Sequence, residues 1–151
     1  MSDFRFRDLT ADDIDPIRAL YTTYRPAGVK LDRLRAEHAT CPGVVVMAGE
    51  RLVGFAYCYS FAPDIYELAN IFVHRDFRDA GLGRTLLERI CERAAPTHNA
   101  IVAVNSLKAE TTEPKRRPDG LYARGGFDVV LQTPHSTVYA KSLSPAGSDG
   151  G

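Results

Sequence analysis

The chain has 151 residues, of which 44% are hydrophobic and 25% charged, a size and balance that predict one domain around one core. Lysine plus arginine and aspartate plus glutamate both number 19, so the zero formal net charge argues against a nucleic-acid or anionic-membrane partner. No run approaches the roughly 18 to 20 apolar residues of a membrane span, and the amino terminus lacks the apolar core of a signal peptide. We therefore expect a cytoplasmic protein.

The first third of the chain predicts one strand and two helices. FRFRDL, from Phe4, alternates apolar and basic residues as a short strand does. Asp15 followed by Pro16 is typical of an N-cap and the first helical position, which predicts a helix from there to Tyr24. After a break at Pro26 and Gly28, KLDRLRAEHAT predicts a second, shorter helix.

The middle of the chain predicts three strands, a long helix and a fourth strand. Residues 44–61 form two strands around a tight turn at Gly49, and IYELANIFV, 65–73, is apolar enough to be central. A glycine-containing turn then leads into a helix whose apolar residues recur at spacings of four. AIVAV, 100–104, predicts a buried strand that Asn105 closes.

The last third predicts a surface loop from Ser106 to Asp119, a brief helix in LYARGGF, a hairpin of two strands, and a disordered tail over 144–151. The order of elements predicts a single α/β domain, 1–143. Its sheet is mixed and mostly antiparallel, with about seven strands flanked by about four helices.

The cysteines predict neither a disulfide framework nor a metal site. Cys41, Cys58 and Cys91 are odd in number and have no CxxC spacing. Free cysteines are among the most buried residues, so we expect reduced, buried thiols.

The segment RDAGLG, Arg78 to Gly83, predicts an anion site. A glycine-rich turn entering a helix directs unpaired backbone N–H groups along the positive end of the helix axis, where a phosphate can approach closely. The segment lacks the Lys-Ser or Lys-Thr of a nucleoside-triphosphate P-loop and the third glycine of a dinucleotide fingerprint. A plain strand-to-helix turn is the alternative.

The spacing R-x-x-G-x-G after an apolar strand resembles the acyl-CoA pyrophosphate loop of the GNAT N-acetyltransferase superfamily. LYARGGF, with Tyr122 five residues before Phe127, is similar to that family's second motif, and the element order matches from Phe4 to Leu143. The resemblance implies acetyl-CoA as co-substrate, no metal, and the family's fold.

By position, the resemblance implies that the pantetheine arm bonds to the strand before the loop and the pyrophosphate to the loop itself, with Asn105 near the thioester. The implied acetyl-CoA contacts are Ile71, Phe72, Val73, Arg78, Ala80, Gly81, Leu82, Gly83, Arg84 and Asn105.

Two residues are implied to be catalytic. Tyr122, with a reference pKa of about 10, stays protonated at neutral pH and can donate a proton to the departing thiolate. It matches the family's general acid, and packing under the sheet is its alternative. Glu67, expected on the strand face of Ala69, Ile71 and Val73, matches the position of a general base; a surface ion pair is its alternative.

The acceptor is expected between the connection of the first two helices and the ends of the strands. The candidate acceptor residues are Tyr21, Tyr24, Arg25, Tyr57 and Tyr59, with Asp64 beside them. Tyrosines at these spacings are also typical of core packing. Small metabolites, an amine-bearing antibiotic and a peptide amine all remain open as acceptors, and a homodimer remains open as an assembly.

Two rival functions stay open. A catalytically silent acyl-CoA-binding module would bind acetyl-CoA without needing Tyr122 or Glu67. A toxin that acetylates charged tRNA would need a basic surface, against which the neutral net charge argues.

Overall fold

The computed structural model describes residues 3–24, 31–106 and 119–143. Arg25, most of the predicted Ser106–Asp119 loop, and the tail 144–151 lie outside these residues. The strands are β1 (Phe4–Asp8), β2 (Gly43–Ala48), β3 (Arg51–Ala62), β4 (Ile65–Val73), β5 (Ala100–Ser106), β6 (Asp128–Gln132) and β7 (Ser136–Ser142). The helices are α1 (Ile14–Tyr24), α2 (Asp32–Glu37), α3 (Leu82–Ala94) and α4 (Asp119–Arg124). None of these helices is long and apolar enough to cross a membrane.

The strands form one sheet in the order β1-β2-β3-β4-β5-β7-β6. β4 and β5 pair in parallel, and the other neighbours pair antiparallel. The predicted mixed, mostly antiparallel α/β fold is therefore confirmed.

Two cores cover opposite sides of the sheet. On the side that we call the α3 face, α3 and α4 pack on residues such as Cys58, Leu68 and Ala103. On the other side, the α1 face, α1 and α2 pack on Phe55 and Tyr57 of β3. The three cysteines are free and buried, as predicted.

The helix α1 begins earlier than Asp15, which corrects the predicted N-cap. A 3-10 turn over Ala11–Asp13 precedes α1 and runs into it at Ile14. The Asp13 carboxylate accepts the Thr10 backbone N–H at 2.8 Å and both Arg7 terminal nitrogens at 2.8 and 2.9 Å. Asp13, and not Asp15, therefore provides the carboxylate that accepts a backbone N–H where the helical segment begins. Asp15 lies within α1, and its side chain is 83% exposed.

A bulge in β4 corrects the predicted face of Glu67. Cys58 of β3 pairs with Leu68, but the preceding Tyr57 pairs with Asn70, so Ala69 is an extra residue in β4. The extra residue reverses the alternation of faces. Glu67 therefore lies on the α1 face with its partner Tyr59, whereas Ile71 and Val73 lie on the α3 face.

The strand β5 is longer than predicted. Asn105 pairs with Thr137 of β7, and the strand continues to Ser106. Because β7 offers an antiparallel partner over this length, Asn105 does not close the strand. Its side chain lies on the α3 face, since Val104 and its partner Val138 occupy the other one.

Candidate active site

The parallel strands β4 and β5 separate halfway along their length. Their pairing runs from Ile65 with Ala100 to Leu68 with Ala103, and the bulge at Ala69 follows at once. Beyond it, and among the residues that the structure describes, Asn70 to Val73 pair only with β3, and Val104 to Ser106 only with β7. Each strand thus turns one edge of backbone N–H and C=O groups toward a cleft between them, which can accept a third extended chain.

The glycine loop lies at the end of β4 and leads into α3. Asp79 and Gly81, on either side of Ala80, both have left-handed backbone conformations, with φ of 69° and 78°. Thr85 N–H donates to Gly81 O at 3.2 Å. The amides of Leu82, Gly83 and Arg84 precede it in the first turn, where a helix offers no acceptor. These amides, at the positive end of a 13-residue helix, suit an anion.

Gly81 and Gly83 serve different purposes in this loop. Gly81 is needed for its left-handed φ and not for space, because a methyl group there would meet no atom of the described residues within 4 Å. Gly83 is helical, and among the described residues a methyl group there would meet only Leu121, at 3.8 Å. The fold therefore does not require a glycine at 83, and the space beside its amide is open.

Arg78 and Tyr24 brace the junction between β4 and the loop. Arg78 Nε donates to the carbonyl oxygen of Val73 at 2.9 Å, and its guanidinium lies 5.6 Å from the Tyr24 ring and 5.3 Å from the Phe72 ring. Tyr24 is 3% exposed, and its hydroxyl accepts the Arg75 N–H at 3.1 Å. Arg84 differs: it is exposed on α3, with Glu88 at 3.9 Å.

Tyr122 projects from α4 into the core on the α3 face. Its ring stacks on Tyr139, with centroids 4.5 Å apart, and lies 5.4 Å from Phe127. Tyr139 pairs with Ala103, the last β5 residue that pairs with β4. The Tyr122 ring, stacked on Tyr139, therefore lies near the point where β4 and β5 separate. Burial raises the pKa of Tyr122 to about 12, which keeps it protonated across the physiological range.

Glu67 also lies near the point where β4 and β5 separate, but on the opposite face of the sheet from Tyr122. It is half-buried and lies opposite Tyr59 of β3 and Val102 of β5, two residues before the bulge. A carboxylate on the α1 face and a phenol on the α3 face thus flank the opening of one cleft.

The predicted acceptor tyrosines differ in exposure: some pack in the core on the α1 face, and Tyr59 lies at its margin. Tyr57 is 3% exposed, burial raises the pKa of its phenol, and its hydroxyl accepts the Asn70 Nδ2–H at 3.4 Å. Tyr21 packs edge-on against Phe72, 5.6 Å away. Tyr59 is half-buried beside Glu67.

Asp64 lies away from this region. Its carboxylate accepts the Asn99 Nδ2–H at 2.9 Å, at the start of β4, whereas the cleft opens toward the end of that strand. Asp64 therefore does not belong to the candidate site.

Two residues absent from the sequence prediction lie at the site. Asn70 follows the bulge, and a polar amide within an apolar strand was the signal for it. Arg33 of α2 places its guanidinium 4.5 Å from the Tyr59 ring, held by the Glu37 carboxylate and the Ser60 carbonyl oxygen. No pattern in the sequence pointed to Arg33, because the contact joins residues far apart in the chain.

The described residues bring no cluster of metal ligands to this site. Within the described ranges, no three histidine, cysteine, aspartate or glutamate side chains come together as a metal-binding group.

Known structures share this fold over almost their whole length. The ribosomal-protein-S18-alanine N-acetyltransferase of Escherichia coli superposes with a TM-score of 0.77 at 16% identity, covering 97% of this chain and 98% of that one. The yncA protein of Salmonella typhimurium, solved with its cofactor acetyl-CoA, gives 0.75 at 20% identity, covering 97% and 98%. YhbS of Escherichia coli, a GNAT family N-acetyltransferase in complex with CoA, gives 0.74 at 16%, covering 95% and 83%.

Sequence comparison agrees with the fold. No curated protein matches the chain, but the model of the Acetyltransferase (GNAT) family matches residues 8–127. This match spans most of the 151 residues, from the end of β1 to Phe127. The chain therefore belongs to the GNAT acetyltransferase family.

Proposed function

We propose that this protein transfers the acetyl group of acetyl-CoA directly to a primary amine of a small molecule or peptide. The observation that carries the proposal is the pair formed by Glu67 and Tyr122, which approach the opening of the β4–β5 cleft from opposite faces of the sheet. Family membership supports the acetyl transfer, and the N-linked product is our inference.

Acetyl-CoA fits the cleft by shape and by charge. Its pantetheine arm is a short amide chain, which can bond to the free edge of β4 over Ile71 to Val73. Its pyrophosphate suits the amides from Ala80 to Arg84 at the start of α3. Asn105, on the α3 face of β5, lies on the side of Tyr122 and is proposed to contact the cofactor near its thioester.

The chemistry requires an amine without its extra proton and a proton for the departing sulfur. In the proposed step, the amine nitrogen bonds to the thioester carbonyl carbon and the carbon–sulfur bond then breaks. Glu67, directly or through water, takes the proton that the amine loses, and Tyr122 donates a proton to the thiolate. The raised pKa of Tyr122 keeps the phenol protonated, and so available as the donor, while making it a weaker acid than the CoA thiol.

A covalent acetyl-enzyme is not part of this mechanism. Cys58 is 1% exposed, and Cys41 and Cys91 are each 9% exposed within the core on the α3 face. Burial raises the pKa of all three thiols, which disfavours the nucleophilic thiolate.

The experiment is acetyl-CoA-dependent release of free thiol across polyamines, amino acids, aminoglycosides, arylamines, alkylamines and short peptides. We expect turnover with one class, reduced in both Tyr122→Phe and Glu67→Gln. Acetyl-CoA binding without thiol release for any class would instead favour a silent acyl-CoA-binding module.

A further inference from the structure

An apolar patch continues from Glu67 across the α1 face of β5, β7 and β6. Val102 is the β5 partner of Glu67, and Val104 follows it on the same face. Val104 pairs with Val138 of β7, and Val138 pairs with Leu131 of β6. These four residues form what we call the apolar floor.

The apolar floor is uncovered among the described residues. The core on the α1 face draws its strand residues from β2, β3 and β4, with Tyr59 and Ala69 at its margin, and includes none from β5, β6 or β7. Val104 is 51% exposed and Leu131 56% exposed. Exposed aliphatic side chains that are contiguous, rather than scattered singly, mark binding surfaces.

We propose that the apolar floor binds the carbon body of the acceptor, so the preferred substrates are primary amines with an extended alkyl or arylalkyl group. This inference rests on the proposed function. Continuity identifies the occupant, because the floor begins at the residue paired with the candidate base. An amine held beside Glu67 has its attached carbon chain against Val102 and Val104.

The size of the floor agrees with such a body. It extends about 7 Å along β5, from Val102 to Val104, and about 10 Å across three strands from Val104 to Leu131. A six-carbon chain or a phenyl ring with a short linker matches these dimensions.

The charges on this face disfavour short diamine acceptors. Between Glu67 and Asp128 on the edge strand β6, the described residues that share the face are uncharged. A second ammonium group that falls short of Asp128, as in a short diamine, would therefore lie on valines with no carboxylate to pair with, at a cost in desolvation.

The first test is an n-alkylamine series from propylamine to hexylamine, followed by thiol release. An open floor removes about half of each methylene from water, so we expect kcat/KM to rise about twofold per methylene and about eightfold over the series. Turnover that is flat across the series would overturn the apolar floor but not the acetyltransferase. No turnover of any amine would overturn both.

The second test reverses the preference with Val104→Asp. The new carboxylate should lower kcat/KM for hexylamine and raise it for 1,5-diaminopentane, changing the ratio of the two by tenfold or more. A ratio cancels any effect on acetyl-CoA, which both reactions share. Val129→Asp is the matched control, because Val129 is 54% exposed but pairs with Tyr139 on the α3 face, and its ratio should equal that of the wild type.

The other candidate occupant is a second copy of the chain, which light scattering of the same variants tests. An assembly larger than a monomer that Val104→Asp dissociates, with the hexylamine to diaminopentane ratio unchanged, would assign the floor to self-association and overturn the proposal. A changed ratio at an unchanged mass supports it.

Discussion

Replacing Gly83 by alanine separates what folding requires of the glycine loop from what an anion requires. Gly83 is the second residue of α3, its φ is not left-handed, and within the described part of the chain a methyl group there would meet only Leu121, at 3.8 Å, an ordinary van der Waals distance. Glycine in a helix is about 0.5 to 1 kcal/mol less favourable than alanine. The variant should therefore be slightly more stable than the wild type, with a Tm higher by about 1 to 4 °C.

The same methyl group should weaken acetyl-CoA binding. It would stand beside the amide that we assign to the pyrophosphate, and a hydrogen bond to a charged group contributes about 1.5 to 3 kcal/mol. Loss of one such bond raises Kd roughly ten- to hundredfold.

Calorimetry of acetyl-CoA binding and thermal unfolding together test this prediction. Gly120→Ala is the control: Gly120 lies at the second position of α4, where a methyl group would meet no atom of the described residues within 4 Å, so its stability should not fall and its Kd should not change. A Gly83→Ala protein that binds acetyl-CoA as tightly as the wild type would refute the assignment of the loop.

Three further outcomes are expected. Tyr122→Phe should lower kcat about 100-fold or more while leaving Tm within a few degrees, because the ring can still stack on Tyr139; kinetics and thermal unfolding measure both. Glu67→Gln should lower kcat/KM most at neutral pH and less near the amine pKa, where no base is needed; a pH series of the ratio to wild type checks this. Asp13→Asn should lower the free energy of unfolding at pH 7 by about 2 to 3 kcal/mol, measured by urea titration. Burial, the largest single influence, would raise the Asp13 pKa, but the hydrogen bonds from Arg7 and Thr10 together with the Arg7 charge outweigh it, and the net shift is downward. This stabilisation is therefore present above the unfolded pKa of about 4 and lost as pH falls through the lower folded pKa. The gap between Asp13→Asn and wild type should therefore close in acid.

Local patterns predicted the order of elements well, because each rests on neighbours in the chain. The alternation of β3, the spacing of apolar residues in α3 and the glycines beside it are all read within a few residues. The family motif added the position of Tyr122 by the same local means.

What failed depends on contacts with residues outside the element itself. The face of Glu67 is set by one extra residue, Ala69, and a bulge leaves no mark in an apolar run. The length of β5 is set by β7, and the start of α1 by Arg7 of β1 reaching Asp13. Alternation alone therefore put the candidate base on the wrong side of the sheet.

Direct transfer of the acetyl group requires that the amine and acetyl-CoA be bound to the protein at the same time. Its most direct test is the initial rate of thiol release over a grid of acetyl-CoA and amine concentrations, with mass spectrometry of the protein after incubation with acetyl-CoA alone. Direct transfer predicts intersecting double-reciprocal lines and an unmodified protein. Parallel lines, together with a covalent acetyl adduct on the enzyme that an amine removes, would contradict it.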